Sequence, residues 1–436
     1  MRLTRWLETA HPFAFSLFAG TAAFSTYFSM YAFRKPFTAA TFEDVQGWDF
    51  ALDYKVALVI AQVVGYALSK VIGVKVISEM DHSRRAVAII ALIGVSWLAL
   101  VGFALCPAPW NVAALFMNGL PLGLIWGLVF SYVEGRRTSE VLGALLCASF
   151  ILSSGVVKSV GKALLNHGVS DLWMPAAAGL VFVPLLVISV TGMSLIPPPN
   201  AADEAARVRR GPMDRPARTA FLKDYGPGVI LLVAAYVLFT AVRDLRDNFA
   251  AEIWSALGFG GTAAIFTASE LPVAAIALCA LGAIMIVRDN LRALLVIHGI
   301  VILGAAVLGG ATLGFQLGMI SPIAWMILSG AGLYMAYTPF NAMLFDRMIA
   351  ATGRVGTAGF LIYLADASGY VGSVALLLFR NFGVADMDWL NFFVWTCYAA
   401  AAVSVGLVAI SAVFFAGRRR MRGRAGEPAA TITGQG

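Results

Sequence analysis

Tyr27, Tyr31 and Arg34 stand at i, i+4 and i+7, which at 3.6 residues per turn puts all three on one stripe of a helix. Tyr236, Thr240, Arg243 and Asp247 repeat the spacing later in the chain. A guanidinium carries a planar fork of donors that suits carboxylate or phosphate, and it stays charged at any physiological pH. Two such stripes facing each other would clamp one anion. Neighbouring residues on a helix diverge by about 100°, so only one of Arg34 and Lys35 is expected to face an interior cavity. Arg34 is that residue by its stripe; the alternative is that both snorkel to the headgroups. Lys70, within GYALSKVIGVK, and Lys158, one turn before Lys162, are further candidate ligands or ion-pair members.

Acids accompany these cations in the second part of the chain. Arg243, Asp244, Arg246 and Asp247 crowd together, and for Asp244 and Arg246 mutual neutralisation in a buried cluster is as good a reading as contact with a ligand. Glu270, two residues before Pro272, and Asp366 have no basic residue close in sequence. A buried carboxylate without a partner takes up a proton readily. Glu270, Asp366 and Asp247 are therefore expected as proton carriers or as counter-ions to Lys or Arg across the molecule. His298 reads as a packed histidine in preference to a relay.

All these side chains lie in or beside long apolar runs. Of 436 residues, 60% are hydrophobic and 13% charged, about half the charge of an ordinary soluble protein, which excludes a soluble globular domain as the main body. A membrane-spanning helix needs about 20 apolar residues. Twelve runs satisfy this, over 12–40, 56–78, 86–106, 112–133, 141–165, 175–197, 227–250, 262–287, 292–313, 322–344, 357–379 and 392–416. The fold expected is an all-α polytopic membrane protein. Pro36 should kink or end the first run.

Lys and Arg disfavour translocation. Arg2, Arg5, Arg84, Arg85, Arg136, Arg137, the linker arginines, Arg288, Arg292, Arg347, Arg354 and the basic tail fall on one side of this scheme, against Lys55 and Arg380 on the other. Both termini are thus expected in the cytoplasm, the chain sitting in the cell (inner) membrane with an uncleaved first helix. Trp110, Trp173 and Trp389 beside the outer loops fit interfacial belts. The net charge of +7 then reflects loops facing anionic lipid, not nucleic acid.

The polar, Arg- and Pro-rich stretch 198–226 separates six runs from six: an N-terminal bundle over 1–197, a cytoplasmic linker over 198–226, a C-terminal bundle over 227–416 and a tail over 417–436. A shift of 209 residues lays Tyr236 on Tyr27, Arg243 on Arg34 and Gly332 on Gly123, and residues 154–160 match 368–374 at a shift of 214. These matches point to two pseudo-symmetric six-helix halves. Gly119, Gly123 and Gly127 in the fourth run permit close helix packing.

The run YFSMYAFRKPF (27–37), the segment GYALSKVIG (65–73), the short basic loop DHSRR (81–85) and an arginine within the seventh run together resemble the organophosphate:phosphate antiporter branch of the major facilitator superfamily (MFS). The resemblance implies twelve transmembrane helices in the MFS fold. It also implies a central cavity lined by Tyr27, Tyr31, Arg34, Lys35, Lys70 and Arg243, and a monomer. Tyr236 joins them by the repeat and Lys158 by its place in the fifth run. The function this implies is secondary transport of a small organic anion by alternating access, with phosphate or a proton as the coupling ion; a membrane sensor that binds an anion and signals to a partner is the rival.

Other chemistry has no motif to stand on. GVVKSVGKA (155–163) misses the Walker A spacing, and HExxH, Gly-x-Ser-x-Gly and Cys-x-x-Cys are absent. Cys106, Cys147, Cys279 and Cys397 form no disulfide or zinc pattern. The expectation is of a non-enzyme without cofactor or metal.

Overall fold

The computed structural model describes the chain except residues 1, 44, 79, 134–138, 199–214, 353–357 and 426–436. Arg136, Arg137, Arg354, most of the linker and the end of the tail, all used above for orientation, lie outside the described residues.

The described chain is helical. A short helix α1 (Arg2–Thr9) precedes α2 (Pro12–Tyr31), α3 (Tyr54–Ser78), α4 (His82–Leu105), α5 (Asn111–Val133) and α6 (Ser139–Asn166). The sixth run is broken into α7 (Met174–Val181) and α8 (Val183–Ser194), bent by 48°. Pro184 stands at the second residue of α8, where its missing N–H and ring clash with a continuous helix. After the linker come α9 (Arg215–Asn248), α10 (Ala250–Ala256), α11 (Ile265–Met285), α12 (Asn290–Gln316), α13 (Pro322–Pro339), α14 (Phe345–Thr352), α15 (Ala358–Leu378) and α16 (Trp389–Ala425).

Helix starts follow sequence chemistry. Ser321 accepts from the Ala324 N–H and Asp289 from the Arg292 N–H, with Pro322 at the first position of α13. A π-turn, Phe340–Leu344, follows Pro339.

Each of the twelve apolar runs overlaps a helix or the bent pair. By length and apolarity alone, however, seven helices among the described residues qualify as spans, or eight with the bent pair counted as one. Seven or eight of the twelve expected spans are thus met by this criterion among the described residues. Helices α2, α3, α13 and α15 fall outside the set; α2 and α13 are rich in Gly, Ser, Thr and Tyr, and these residues lower their mean hydropathy. The first run also ends earlier than the 12–40 expected. α2 stops at Tyr31, and a 3-10 turn over Pro36–Ala39 continues it. Proline removes a backbone donor and restricts the residue before it, so the helix cannot pass through Lys35-Pro36 unbroken.

Two glycines set how closely the interior is built. A Cβ on Gly119 would lie 2.2 Å from the Gln62 carbonyl, and one on Gly123 2.5 Å from that of Tyr66. The backbones of α3 and α5 therefore touch, and that contact fixes Gln62 and Tyr66 beside the break after α2. Gly332, the repeat partner of Gly123, lies against Gly304 of α12. The two glycines do the same work against non-equivalent neighbours.

Two apolar cores result. One gathers α2, the inner stretches of α4 and α5, and α8. The other runs through the C-terminal helices and on into Phe37, Phe42, Tyr54, Phe103 and Met174 of the N-terminal stretch. The two parts of the chain are thus packed together most completely at the end of the molecule that carries the 36–53 and 250–256 segments.

Candidate functional site

The break after α2 frees two carbonyls that a helix would have paired. Asn118 donates to the Phe33 carbonyl at 2.9 Å and Gln62 to the Arg34 carbonyl at 2.9 Å, while Gln62 also donates to Asn118 Oδ1 at 2.7 Å. Buried backbone oxygens are rarely left without donors, so these two amides hold the turn in one shape. Arg34 and Lys35 are locked to it and leave it in different directions.

Arg34 is 8% exposed, and its guanidinium carbon lies 3.9 Å from the centroid of Tyr66 and 5.8 Å from that of Tyr31. Among the described residues no carboxylate or hydrogen-bond acceptor meets its guanidinium, and its buried Nε is without a partner. Aromatic faces solvate a cation only in part. The site is therefore a buried positive charge with donors to spare. Tyr27 joins it: its hydroxyl is 3.4 Å from that of Tyr66, and its ring packs edge-on against Tyr31 and Trp126.

Lys35 turns to the C-terminal stretch, where its Nζ is 2.5 Å from Asp247 Oδ2 and 2.7 Å from Asn248 Oδ1. Lys158 reaches the other oxygen of Asp247 at 2.6 Å and the Asp247 carbonyl at 2.9 Å, and the Ser154 hydroxyl donates to the same carboxylate. One carboxylate from α9 is thus held by two lysines of the N-terminal part. Lys55 and Glu252 make a further cross-link at 2.5 Å, and Asn381 closes the same end by accepting from the Asp53 N–H at 2.8 Å and donating to the Ala51 carbonyl at 3.0 Å.

Arg243, the repeat partner of Arg34, has a different environment. It donates from Nε (3.0 Å) and Nη2 (2.6 Å) to Asp244 Oδ1, and its carbon lies 4.4 Å from the Tyr337 centroid. Ser373 holds the other Asp244 oxygen at 2.7 Å. Arg246 pairs with Glu270 at 2.6 Å and donates to the Met326 carbonyl at 3.0 Å. The four charges 243–247 do not neutralise one another as a closed cluster: Arg246 goes to α11 and Asp247 to the lysines. Tyr31 and Tyr370 each lie within electrostatic reach of both Arg34 and Arg243, so the two guanidiniums border one interior region.

Lys70 is 2.5 Å from Asp366, again joining the two parts of the chain, here toward the other end of the helices. Tyr236 donates its one hydroxyl hydrogen to the second Asp366 oxygen at 2.6 Å, and its oxygen lies 3.2 Å from the Tyr337 hydroxyl and 3.3 Å from the side-chain amide of Asn341 in the π-turn. Glu270 and Asp366, without bases nearby in sequence, thus have them in space. His298 is packed, with Nδ1 2.7 Å from the Leu294 carbonyl and Nε2 3.1 Å from Ser411 Oγ.

Sequence reasoning missed Gln62, Tyr66, Asn118, Ser154, Tyr337 and Tyr370. Small polar residues in apolar helices were the signal for the first and third: an amide there needs partners, and broken backbone supplies them. Among the described residues no group of three or more His, Cys, Asp or Glu could hold a metal ion.

A family model described as a family of unknown function, DUF5690, matches residues 36–418. No curated protein matches the chain. Among solved structures the chain is similar in fold to a D-xylose-proton symporter, at 14% identity over 93% of this chain and 97% of that one, with a TM-score of 0.59. It is also similar to a POT family transporter in complex with a thioalcohol-conjugated peptide (13% identity, 91% and 96% coverage, TM-score 0.57) and to a POT family transporter in complex with 5-aminolevulinic acid (12% identity, 91% and 96%, TM-score 0.55).

Proposed function

The chain belongs to the DUF5690 family, whose description assigns no activity, and on that premise we propose that it is a secondary transporter of a small organic anion, working by alternating access between two six-helix halves with both termini in the cytoplasm. The observation that carries the reading is Arg34: a guanidinium that is 8% exposed and faces aromatic rings with no carboxylate among the described residues. An isolated buried charge is costly, and a protein that keeps one gains from an anion that arrives to neutralise it. Arg34 supplies the planar fork, Tyr27, Tyr31 and Tyr66 line it, and Arg243 with Tyr236 and Tyr337 borders the far wall.

The fold supports transport over mere binding, since the solved structures of similar fold are transporters for small solutes, one of them holding a carboxylic acid. The links between the halves support it further. Lys35–Asp247–Lys158, Lys55–Glu252 and Lys70–Asp366 cross from half to half, and ion pairs can exchange partners as the halves rock. In this reading Lys35 and Lys158 hold the outer side shut, so they meet the anion only when Asp247 lets go. The organophosphate branch remains the reference for the anion's chemistry, with sugar phosphates, phosphate and carboxylates the compounds to try first.

Uptake of labelled sugar phosphates, inorganic phosphate and carboxylates into proteoliposomes tests this, comparing wild type with Arg34→Gln. Saturable uptake of at least one anion that vanishes in the variant is expected. Absence of flux for every anion in the wild type would overturn the transport reading, and binding without flux would put a sensor in its place.

A further inference from the structure

We propose that Asp366 is a proton-binding site that locks the inner end of the molecule, and that a proton bound there releases Lys70 and opens that end. The inference rests on the transporter reading above and adds a coupling ion and its position. Lys70 and Asp366 belong to different halves, and separating a buried pair with both charges intact leaves each charge uncompensated, at a cost. Neutralising the carboxylate removes most of that cost. The proton comes from water, adds to a carboxylate oxygen, and leaves by the same oxygen on the other side of the cycle; Lys70 remains an ammonium throughout.

The other acids are less suited to the role. Asp247 accepts from two lysines and Ser154, so one proton would leave it facing surplus positive charge. Glu270 packs against Gly155 of the N-terminal half but pairs with Arg246 inside its own half, so a proton there breaks no ion pair between the halves. Glu252 bridges the halves through Lys55, but Lys55 also donates to the Thr38 carbonyl and keeps a partner without it. Asp366 alone of the four pairs with a single lysine across the halves and also touches the wall of the anion site. Its second oxygen accepts from Tyr236, Tyr236 contacts Tyr337, and Tyr337 lies under Arg243.

The surroundings of Lys70 suit a cation that is let go. Its side chain is 18% exposed, the most of any cation in the cross-links between the halves, and its Nζ lies 5.5 Å from the Tyr66 centroid and 5.3 Å from that of Tyr370. The ring of Tyr66 is also the one that Arg34 stacks on. A freed Lys70 therefore stands beside Arg34 with its charge available to an anion. Around Asp366 the charged and titratable groups, among the described residues, are Lys70 and Tyr66 from α3, Tyr236 from α9, Tyr337 from α13 and Tyr370 on its own helix. Of these, Asp366 is the one carboxylate; the phenols and the lysine titrate higher as free groups.

The test needs no substrate. Spin labels on Arg84→Cys and Arg292→Cys, at the inner ends of α4 and α12, in a background with Cys106→Ser and Cys279→Ser, report the opening as a distance distribution read over pH 5 to 9. In wild type the longer distance is expected to grow as pH falls. Asp366→Asn should hold the longer distance at every pH. Tyr236→Phe removes a donor to the ionised carboxylate, so its midpoint should move to higher pH. A wild-type distribution that ignores pH, an Asp366→Asn protein that still follows it, or a Tyr236→Phe midpoint unmoved or lowered would overturn the proposal. Should Asp366→Asn fail to fold, the Tyr236→Phe midpoint decides. If the end opens with pH but no anion crosses in proteoliposomes, the transport reading fails and the proton lock stands; if anions cross while the distances ignore pH, the reverse holds.

Discussion

Arg34 and Arg243 occupy matching places in a repeated sequence pattern, yet one is bare and the other is paired. Arg243 spends two donors on Asp244, its neighbour in the chain, and that carboxylate is pinned by Ser373. Arg34 has Lys35 as its neighbour, and Lys35 leaves for Asp247 in the other half. The residue at the next position thus decides what each guanidinium is free to do. The paired arginine is a fixed wall with no net charge, and the bare one is the place where an anion gains the most.

The largest effect should come from removing the bare charge. Two charge-assisted hydrogen bonds, each about 1.5–3 kcal/mol, make Arg34→Gln worth a loss of about 100-fold or more in anion affinity, read by equilibrium binding to purified protein. An equal loss in Arg243→Gln with Arg34→Gln unaffected would reverse the comparison.

A sharper test converts one arginine into the other. Asp244→Asn strips the partner from Arg243, and with two bare guanidiniums the affinity for a divalent anion such as sulfate should rise by about 10-fold, one added charge-assisted contact, against little change for a monovalent one. Competition binding of the two anions reads it.

Smaller again is the effect of disturbing what positions the ring under Arg34. Gly119→Ala places a methyl 2.2 Å from the Gln62 carbonyl, where only a backbone shift can make room. Overpacking of this kind costs about 1–3 kcal/mol, so the thermal unfolding midpoint should fall and anion affinity weaken a few-fold with it, whereas Gly94→Ala, in open space, should change neither.

The smallest effect belongs to an acid remote from both arginines. Asp388 accepts from the Asn391 N–H at 2.9 Å ahead of α16, and that bond holds its carboxyl below the usual range. A lowered value means the stabilisation is present above the ordinary carboxylate pKa and is lost as pH falls through the lowered one. Asp388→Ala should therefore lower the unfolding midpoint slightly at neutral pH, at the low end of capping effects of about 0.5 kcal/mol, and the difference from wild type should shrink as pH falls through the lowered value.

How much of this was legible in the sequence follows from the range of the forces involved. Apolar runs placed the helices, because burial in lipid is a property of each segment alone. The stripe of Tyr27, Tyr31 and Arg34 came from helical spacing, and it survives the end of α2 because the following turn keeps nearly helical backbone. Pairing was hidden: the partners of Lys70 and Lys158 are 296 and 89 residues away in sequence, and no local pattern encodes such contacts. Pro184 marks the break in the sixth run, a signal that hydropathy does not carry because it ignores the missing N–H. Gln62 and Asn118 became readable only once the break after Tyr31 showed which carbonyls needed donors.

The most direct measurement is equilibrium binding, to wild type, Arg34→Gln and Arg34→Lys, of whichever anion the uptake screen identifies. The account predicts near-complete loss in the glutamine variant and partial recovery with lysine, which restores the charge but not the fork. Binding to Arg34→Gln as tight as to wild type would contradict it.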